Sequence, residues 1–158
     1  MLNEGGDMAD IKELKKQVIF EDISDAELEK LAKVMKEVSL KKGEFLFKEN
    51  EDTKGIYMIR SGKIEINKVT PDGWKQTLAV LTPGHFFGEL SIIEHRRHEA
   101  NAIAIESAEL LKLPKEEFEK LEKEDVVLAS QILKKLVLVM SKNLRRMNEK
   151  FLNALINY

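Results

Sequence analysis

The residues best suited to chemistry lie together in residues 83–107, PGHFFGELSIIEHRRHEANAIAIES. Gly84 and Gly88 bracket Phe86 and Phe87, and Gly88-Glu89-Leu90-Ser91 reads as a tight turn opening a short helix. Such a turn exposes unpaired backbone N–H groups at the positive end of a helix dipole, which together favour an anion. A carboxylate at Glu89 does not suit phosphate itself. It suits a hydroxyl beside a phosphate, such as a ribose 2′-OH, from which it can accept a hydrogen bond.

Other chemistries find less support in the same segment. A metal site of the cupin type needs a His-x-His pair on one strand with a further His and a Glu, because several N or O ligands must converge. The three histidines are His85, His95 and His98, with no His-x-His among them, and Arg96 and Arg97 between the last two disfavour a cation. No metal ligand is assigned. Ser91 has no base relay in sequence and reads as a small residue required by packing. No G-x-S-x-G, P-loop or paired-carboxylate arrangement is present, so no catalytic residue is assigned and a non-enzymatic protein is expected.

The elements that position this segment are legible from periodicity. Residues 1–10 are polar with no period and read as an unstructured tail. Residues 11–35 read as N-terminal helices: Ile11, Leu14 and Val18, then Leu28, Leu31 and Met35 behind Ser24, with Glu27 at the capping-box spacing. Across 36–113 glycines recur between short apolar runs: 44–49, 55–60, 63–69, 75–81, 100–105 and 108–113. Lys63 to Val69 alternates polar and apolar, and Pro71-Asp72-Gly73 is a hairpin turn. Many short strands with turn residues between them indicate a sandwich or barrel. Residues 114–158 read as C-terminal helices, the longer from about Val126. Its stripe of Leu133, Leu136, Met140, Leu144, Met147, Phe151, Leu155 and Tyr158 has the period of one helix face. A helix so long, roughly 45 to 50 Å, exceeds what a small β domain covers, so part of it is expected to meet another chain.

Composition sets the outer limits. The 158 residues suit one domain, and zero Cys excludes disulfides, thiolate clusters and a cysteine nucleophile. A formal charge of −2 argues against bulk attraction to nucleic acid or an anionic membrane. That value conceals a basic C-terminal helix, where Lys134, Lys135, Lys142, Arg145, Arg146 and Lys150 face only Glu149. No apolar run is long enough to cross a bilayer and no secretory signal pattern opens the chain, so a cytoplasmic location is expected.

Residues 18–155 resemble the cyclic nucleotide-binding domain family, the sensor domains of the catabolite activator protein and the protein kinase A regulatory subunit. The resemblance rests on the leading VIFEDISDAELEKLA, the glycine-punctuated KKGEFLFKENEDTKGIYMIRSGKIEI, and the phosphate-binding cassette that begins PGHFFGEL. It implies a mainly β fold with flanking helices: an eight-stranded double-stranded β-helix (jelly-roll) barrel over 36–113, with the cassette at 84–100 and a long C-terminal helix that commonly dimerises. The whole of 11–158 is then one domain.

Carried over residue by residue, Phe87, Gly88, Glu89, Leu90 and Ser91 match the opening of the family's cassette. Reading back from the following strand, Ala100 takes the Ala position, Glu99 that of the phosphate-bonding Ser or Thr, and His98 that of the phosphate-binding Arg. His gives one bond and partial charge where Arg gives a permanent fork, and Glu99 repels phosphate. A slip of one residue restores an arginine through Arg97. A pairing of Arg97 or Arg96 with Glu89 is a further expectation, an internal mimic of a bound anion. In the family a polar residue of the long helix caps the base, and Asn143 stands near that station, with a register-fixing polar residue of a dimer helix as the alternative.

These residues predict a stand-alone regulatory module, homodimeric through Leu133, Leu136, Met140, Leu144, Met147 and Phe151. Its cyclic nucleotide binding is expected to be weak, altered or lost, and its state to pass to a separate effector protein. The alternative is a functional sensor of cAMP, cGMP or a cyclic dinucleotide using Arg97 and Glu89; no other cofactor is implied. Relatives of the activator type append a helix-turn-helix module after the long helix, and no such DNA-binding module is read before Tyr158.

Overall fold

The structure is a computed structural model that describes the backbone of residues 3–5 and the chain from 10 to 157. The remainder of the expected N-terminal tail, and Tyr158 of the helical stripe, lie outside the described residues. Within that tail the structure corrects the expectation: Asn3–Gly5 form a strand, β1, paired antiparallel with Lys36–Leu40, β2. A segment with no periodicity can still pair, because an edge strand offers unmet backbone N–H and C=O groups to any extended neighbour.

Helices α1 (Ile11–Lys15) and α2 (Asp25–Val34) lead in, joined through a single 3-10 turn at Val18–Phe20. The Ser24 hydroxyl caps α2 by accepting from the Glu27 N–H at 3.3 Å, as its spacing predicts. The roll follows: β3 (Phe45–Phe47), β4 (Gly55–Ser61), β5 (Ile64–Val69), β6 (Lys75–Leu81), β7 (Phe86–Phe87), β8 (Asn101–Ala104) and β9 (Ala108–Pro114), with α3 (Glu89–Ile93) between β7 and β8. Two helices close the chain, α4 (Lys115–Glu124) and the 31-residue α5 (Val126–Ile156).

The strands form two antiparallel sheets, β1-β2-β9-β4-β7 and β3-β8-β5-β6. The jelly-roll expectation holds as a two-sheet roll, not as a closed barrel. Eight strands, β2 to β9, carry it and β1 is added at an edge. The hairpin at Pro71-Asp72-Gly73 joins β5 to β6, closed by Thr70 N–H donating to Trp74 C=O at 2.9 Å.

Strand β4 shows why the core is divided. Its residues 55–59 are all buried, because the sheet is covered on both faces. Side chains alternate across it, so Ile56 and Met58 join Leu111, Leu113 and the helices, while Tyr57 and Ile59 face the second sheet with Ile64, Phe87 and Leu110. The helical layer brings Leu14, Phe20, Leu28, Leu31, Phe118, Leu128, Ile132 and Leu136 to the first of these clusters.

Candidate functional site

The cassette is set by a chain reversal that needs glycine. Gly88 has φ +87° and caps α3, and a Cβ there would lie 3.0 Å from the Gly55 carbonyl oxygen and 3.4 Å from the Tyr57 ring. The close approach seats α3 against β4. Beneath it Phe47, Tyr57 and Phe87 form an aromatic group with ring centroids 5.5 to 6.1 Å apart.

The return of the cassette is pinned to the β3–β4 loop. Asn50 N–H donates to His98 C=O at 2.8 Å, and His98 N–H donates to Glu51 C=O at 3.0 Å. The Thr53 hydroxyl donates to Arg96 C=O at 2.9 Å, and Arg96 N–H donates back to Ser91 C=O at 2.9 Å. Three backbone–backbone bonds and one from the Thr53 hydroxyl therefore hold the main chain of Arg96 and His98.

Between α3, this return, β5, β6 and α5 lies a cleft of about 410 Å³. Phe87, Gly88, Glu89, Leu90, Ser91, Arg97, His98, Glu99, Ala100 and Asn143 all line it, so every ligand residue expected from the sequence reaches one space. Asn143 arrives from the middle of α5, an element separate from the cassette. The apolar wall was not identified from the sequence: Phe47, Ile66, Leu78 and Leu81 complete it, as does the stem of Lys68.

The charges inside are arranged differently from the expectation. His98 is buried, at 3% exposure, and stacks face to face on Phe47 with centroids 3.5 Å apart and planes 2° apart. Its Nδ1 is 3.4 Å from the Ser91 hydroxyl. Burial holds the imidazole below its usual pKa against the smaller opposing pull of Glu51, so the neutral ring is the form this packing prefers. Burial likewise pushes the Glu89 carboxyl above the usual carboxylate range, partly countered by its own backbone N–H. A carboxyl so placed can donate as well as accept toward a hydroxyl.

The arginines turn to carboxylates outside. Arg97 Nε lies 3.1 Å from Asp52, with both side chains largely exposed. Arg96 pairs with Glu99 at 2.9 Å and with Glu94. Among the described residues no cation pairs with Glu89, so the expected internal mimic of a bound anion is absent. Glu99 is neutralised by Arg96 on an exposed rim, which removes the repulsion expected from its position in sequence.

The other candidates fall elsewhere. His85 and His95 are exposed, and His85 Nδ1 accepts from Thr82 N–H at 3.2 Å. Among the described residues no three of His, Asp and Glu converge as metal ligands. On α5, Leu136 is fully buried and Leu133 packs beside it against the chain's own core, which corrects their assignment to a dimer interface. Met140, Leu144, Met147 and Phe151 are exposed, and every residue from 141 to 157 is solvent-facing in the single chain. Among the described residues no helix is long and apolar enough to cross a membrane.

The fold has counterparts. The chain is 31% identical over 136 residues to the anaerobic regulatory protein of Bacillus subtilis, covering 85% of this chain and 56% of that one. It is 34% identical over 76 residues to the cyclic AMP receptor protein of Thermus thermophilus, covering 48% and 35%. The chain thus spans between about a third and just over half of these relatives' lengths. A solved cyclic nucleotide-binding domain from Methylobacillus flagellatus superposes with a TM-score of 0.84 at 21% identity, over 96% of this chain and 88% of that one. A family model for the cyclic nucleotide-binding domain matches residues 37–125, more than half of the sequence and all of the roll from within β2 to the end of α4. The two-sheet roll, the cassette and that match together make the chain a member of the cyclic nucleotide-binding domain family.

Proposed function

We propose that this chain is a regulatory, non-catalytic module that takes a cyclic nucleotide in the cleft with altered and weak binding, and passes its state to another protein through α5. The observation that carries the reading is the convergence of the cassette residues and Asn143 on one cleft of about 410 Å³, large enough for a mononucleotide. Binding is altered because the cassette presents no unpaired cation to a phosphate: His98 is stacked and neutral, and both arginines hold carboxylates. The phosphate rests on the cassette, and Glu89 meets the ribose hydroxyl.

The exposed half of α5 supplies the output surface. Met140, Leu144, Met147 and Phe151 step by 4, 3 and 4 residues, the spacing of a two-helix seam, and are exposed. They fit a homodimer through the distal helix, with the exposed basic residues beside them free to meet an acidic effector.

Calorimetric titration of the chain with cAMP and cGMP, wild type and Arg97→Ala, tests the reading. Weak binding that survives Arg97→Ala is expected, and absence of heat with both nucleotides would overturn it. A second reading is favoured by the exposure of the Arg97–Asp52 pair, since such pairs contribute only about 0–1 kcal/mol and release easily. If Arg97 swings onto the phosphate, the Arg97→Ala variant loses binding altogether.

A further inference from the structure

Away from the cleft, α5 carries a second stripe. Lys134, Leu138, Lys142, Arg145, Leu152 and Ile156 recur at steps of 3, 4 or 7 residues and are all exposed. With about 3.6 residues per turn they share an arc of about 80°, roughly 140° around the helix from Met140, Leu144, Met147 and Phe151. Among the described residues no ion pair or side-chain hydrogen bond engages the three cations of this stripe. Asp22 feels the field of Lys134, yet its bond goes to Lys135 at 2.7 Å. The stripe begins at a groove of about 340 Å³ between α5 and residues 18–23. Buried Ile19 and Ile23 line the groove from the turn, and Leu138, 47% exposed, lines it with Lys134 from α5. That turn is fastened to the roll where the cassette segment starts: Gln17 Nε2 donates to Ile59 C=O at 3.1 Å, and Val18 N–H to Gly84 C=O at 3.3 Å.

We propose that this second face of α5, rooted in the groove, docks an acidic amphipathic helix of the effector protein. The proposal rests on the reading that the module passes its state through α5. A helix laid along α5 puts an apolar side chain into the groove against Ile19, Ile23 and Leu138, and further ones along Leu152 and Ile156. Its carboxylates meet Lys134, Lys142 and Arg145, where Glu149 is the one opposing charge on the distal half of α5. A nucleic acid backbone matches the cations but offers nothing apolar to the leucines and Ile156. A flat bilayer surface has no projecting side chain for a concave groove, whereas a helix presents one at every turn. The docked helix touches both the turn bonded beside the cassette and the helix that carries Asn143, and it leaves the Met140 to Phe151 seam open to a second copy.

The test is fluorescence anisotropy of a labelled synthetic helix, with leucines at helical spacing flanked by glutamates, titrated with the full chain in the absence of nucleotide. A companion probe carries lysine at each glutamate. Wild type is expected to bind the acidic helix and not the basic one. Lys134→Glu combined with Arg145→Glu is expected to weaken the acidic probe about tenfold and to gain the basic one, because two exposed pairs are reversed. Leu138→Ser is expected to weaken the acidic probe, and Met147→Lys, on the other face, to leave it unchanged. Circular dichroism and melting establish that these exposed substitutions leave the fold intact. No binding of the acidic helix, equal binding of both probes, or binding that the charge reversal leaves unchanged would overturn the docking face. Co-sedimentation with phosphatidylserine–phosphatidylcholine vesicles that the charge reversal abolishes, with the acidic helix unbound, would overturn it in favour of a membrane surface. Each of these failures leaves cyclic nucleotide binding in the cleft standing, since that is read by the separate calorimetric titration.

Discussion

The two halves of α5 carry the same apolar period and live in different environments. From Leu128 to Leu136 the stripe is buried against Phe20, Leu31 and Phe118, whereas from residue 141 onward every described residue is exposed. At about 1.5 Å per residue the 31-residue helix is roughly 46 Å long, and the domain beneath it covers only the first part. The cassette shows the same division on a smaller scale: His98 is stacked inside, while Arg97 one residue earlier reaches an exposed carboxylate. Sequence neighbours, or neighbours in a periodic pattern, thus serve the core or the surface according to which element lies opposite them.

The largest expected effect lies at the buried end of that contrast. Leu136→Ala removes a fully buried side chain from the helix–sheet core and should destabilise the chain by about 2–5 kcal/mol in denaturant unfolding. A loss below 1 kcal/mol would show that the proximal stripe is not the anchor of α5.

His98 comes next, because its burial couples the fold to pH. Its folded pKa is lowered from 6.5, so the unfolded chain takes up a proton that the folded chain resists. Stability is therefore lost as pH falls below about 6.5, down to the folded pKa. Glu89 works in the opposite sense: its folded pKa is raised from 4.5, so the folded chain protonates first, and stability is regained as pH falls from that raised value toward 4.5. Melting temperature measured between pH 7.5 and 4 should carry both contributions, a loss from His98 and a gain from Glu89. His98→Phe, which keeps the ring stacked on Phe47, should remove the His98 loss and leave the Glu89 gain. Replacing Arg97 should matter less: Arg97→Ala removes an exposed pair and should cost no more than about 1 kcal/mol, checked by the same melts in low and high salt.

The parts legible in the sequence were those fixed by neighbours along the chain. The β5–β6 hairpin follows from alternation around Pro71-Asp72-Gly73, β6 coincides with its predicted 75–81, and α5 starts at its predicted Val126. The cassette was legible because Gly88 imposes its turn locally. What was not legible depends on contacts made at long range. The stack of Phe47 on His98 and the pair of Arg97 with Asp52 join the β3–β4 loop region to the cassette across more than 40 residues. Leu133 and Leu136 were misassigned because periodicity identifies an apolar face without identifying what covers it. Lys68, an exposed lysine near a strand end, carries no local signal that separates it from a solvated side chain; only the placement of β5 along the cleft does so.

The smallest expected effect on the isolated fold lies at the other end of α5. Met147 is 66% exposed and makes no part of either buried cluster, so Met147→Lys should change monomer stability by no more than about 0.5 kcal/mol. Its effect on association should be large, because a lysine at the centre of a paired apolar seam must give up its hydration without gaining a partner. Sedimentation is expected to show a dimer in wild type and a monomer in Met147→Lys, with the melting temperature at low protein concentration nearly unchanged. A wild-type monomer, or a dimer that survives the substitution, would move the partner surface away from the distal helix. Run beside Leu136→Ala, the pair separates the two halves of one helix by their consequences, since one substitution destabilises the chain without addressing a partner and the other releases a partner without destabilising the chain.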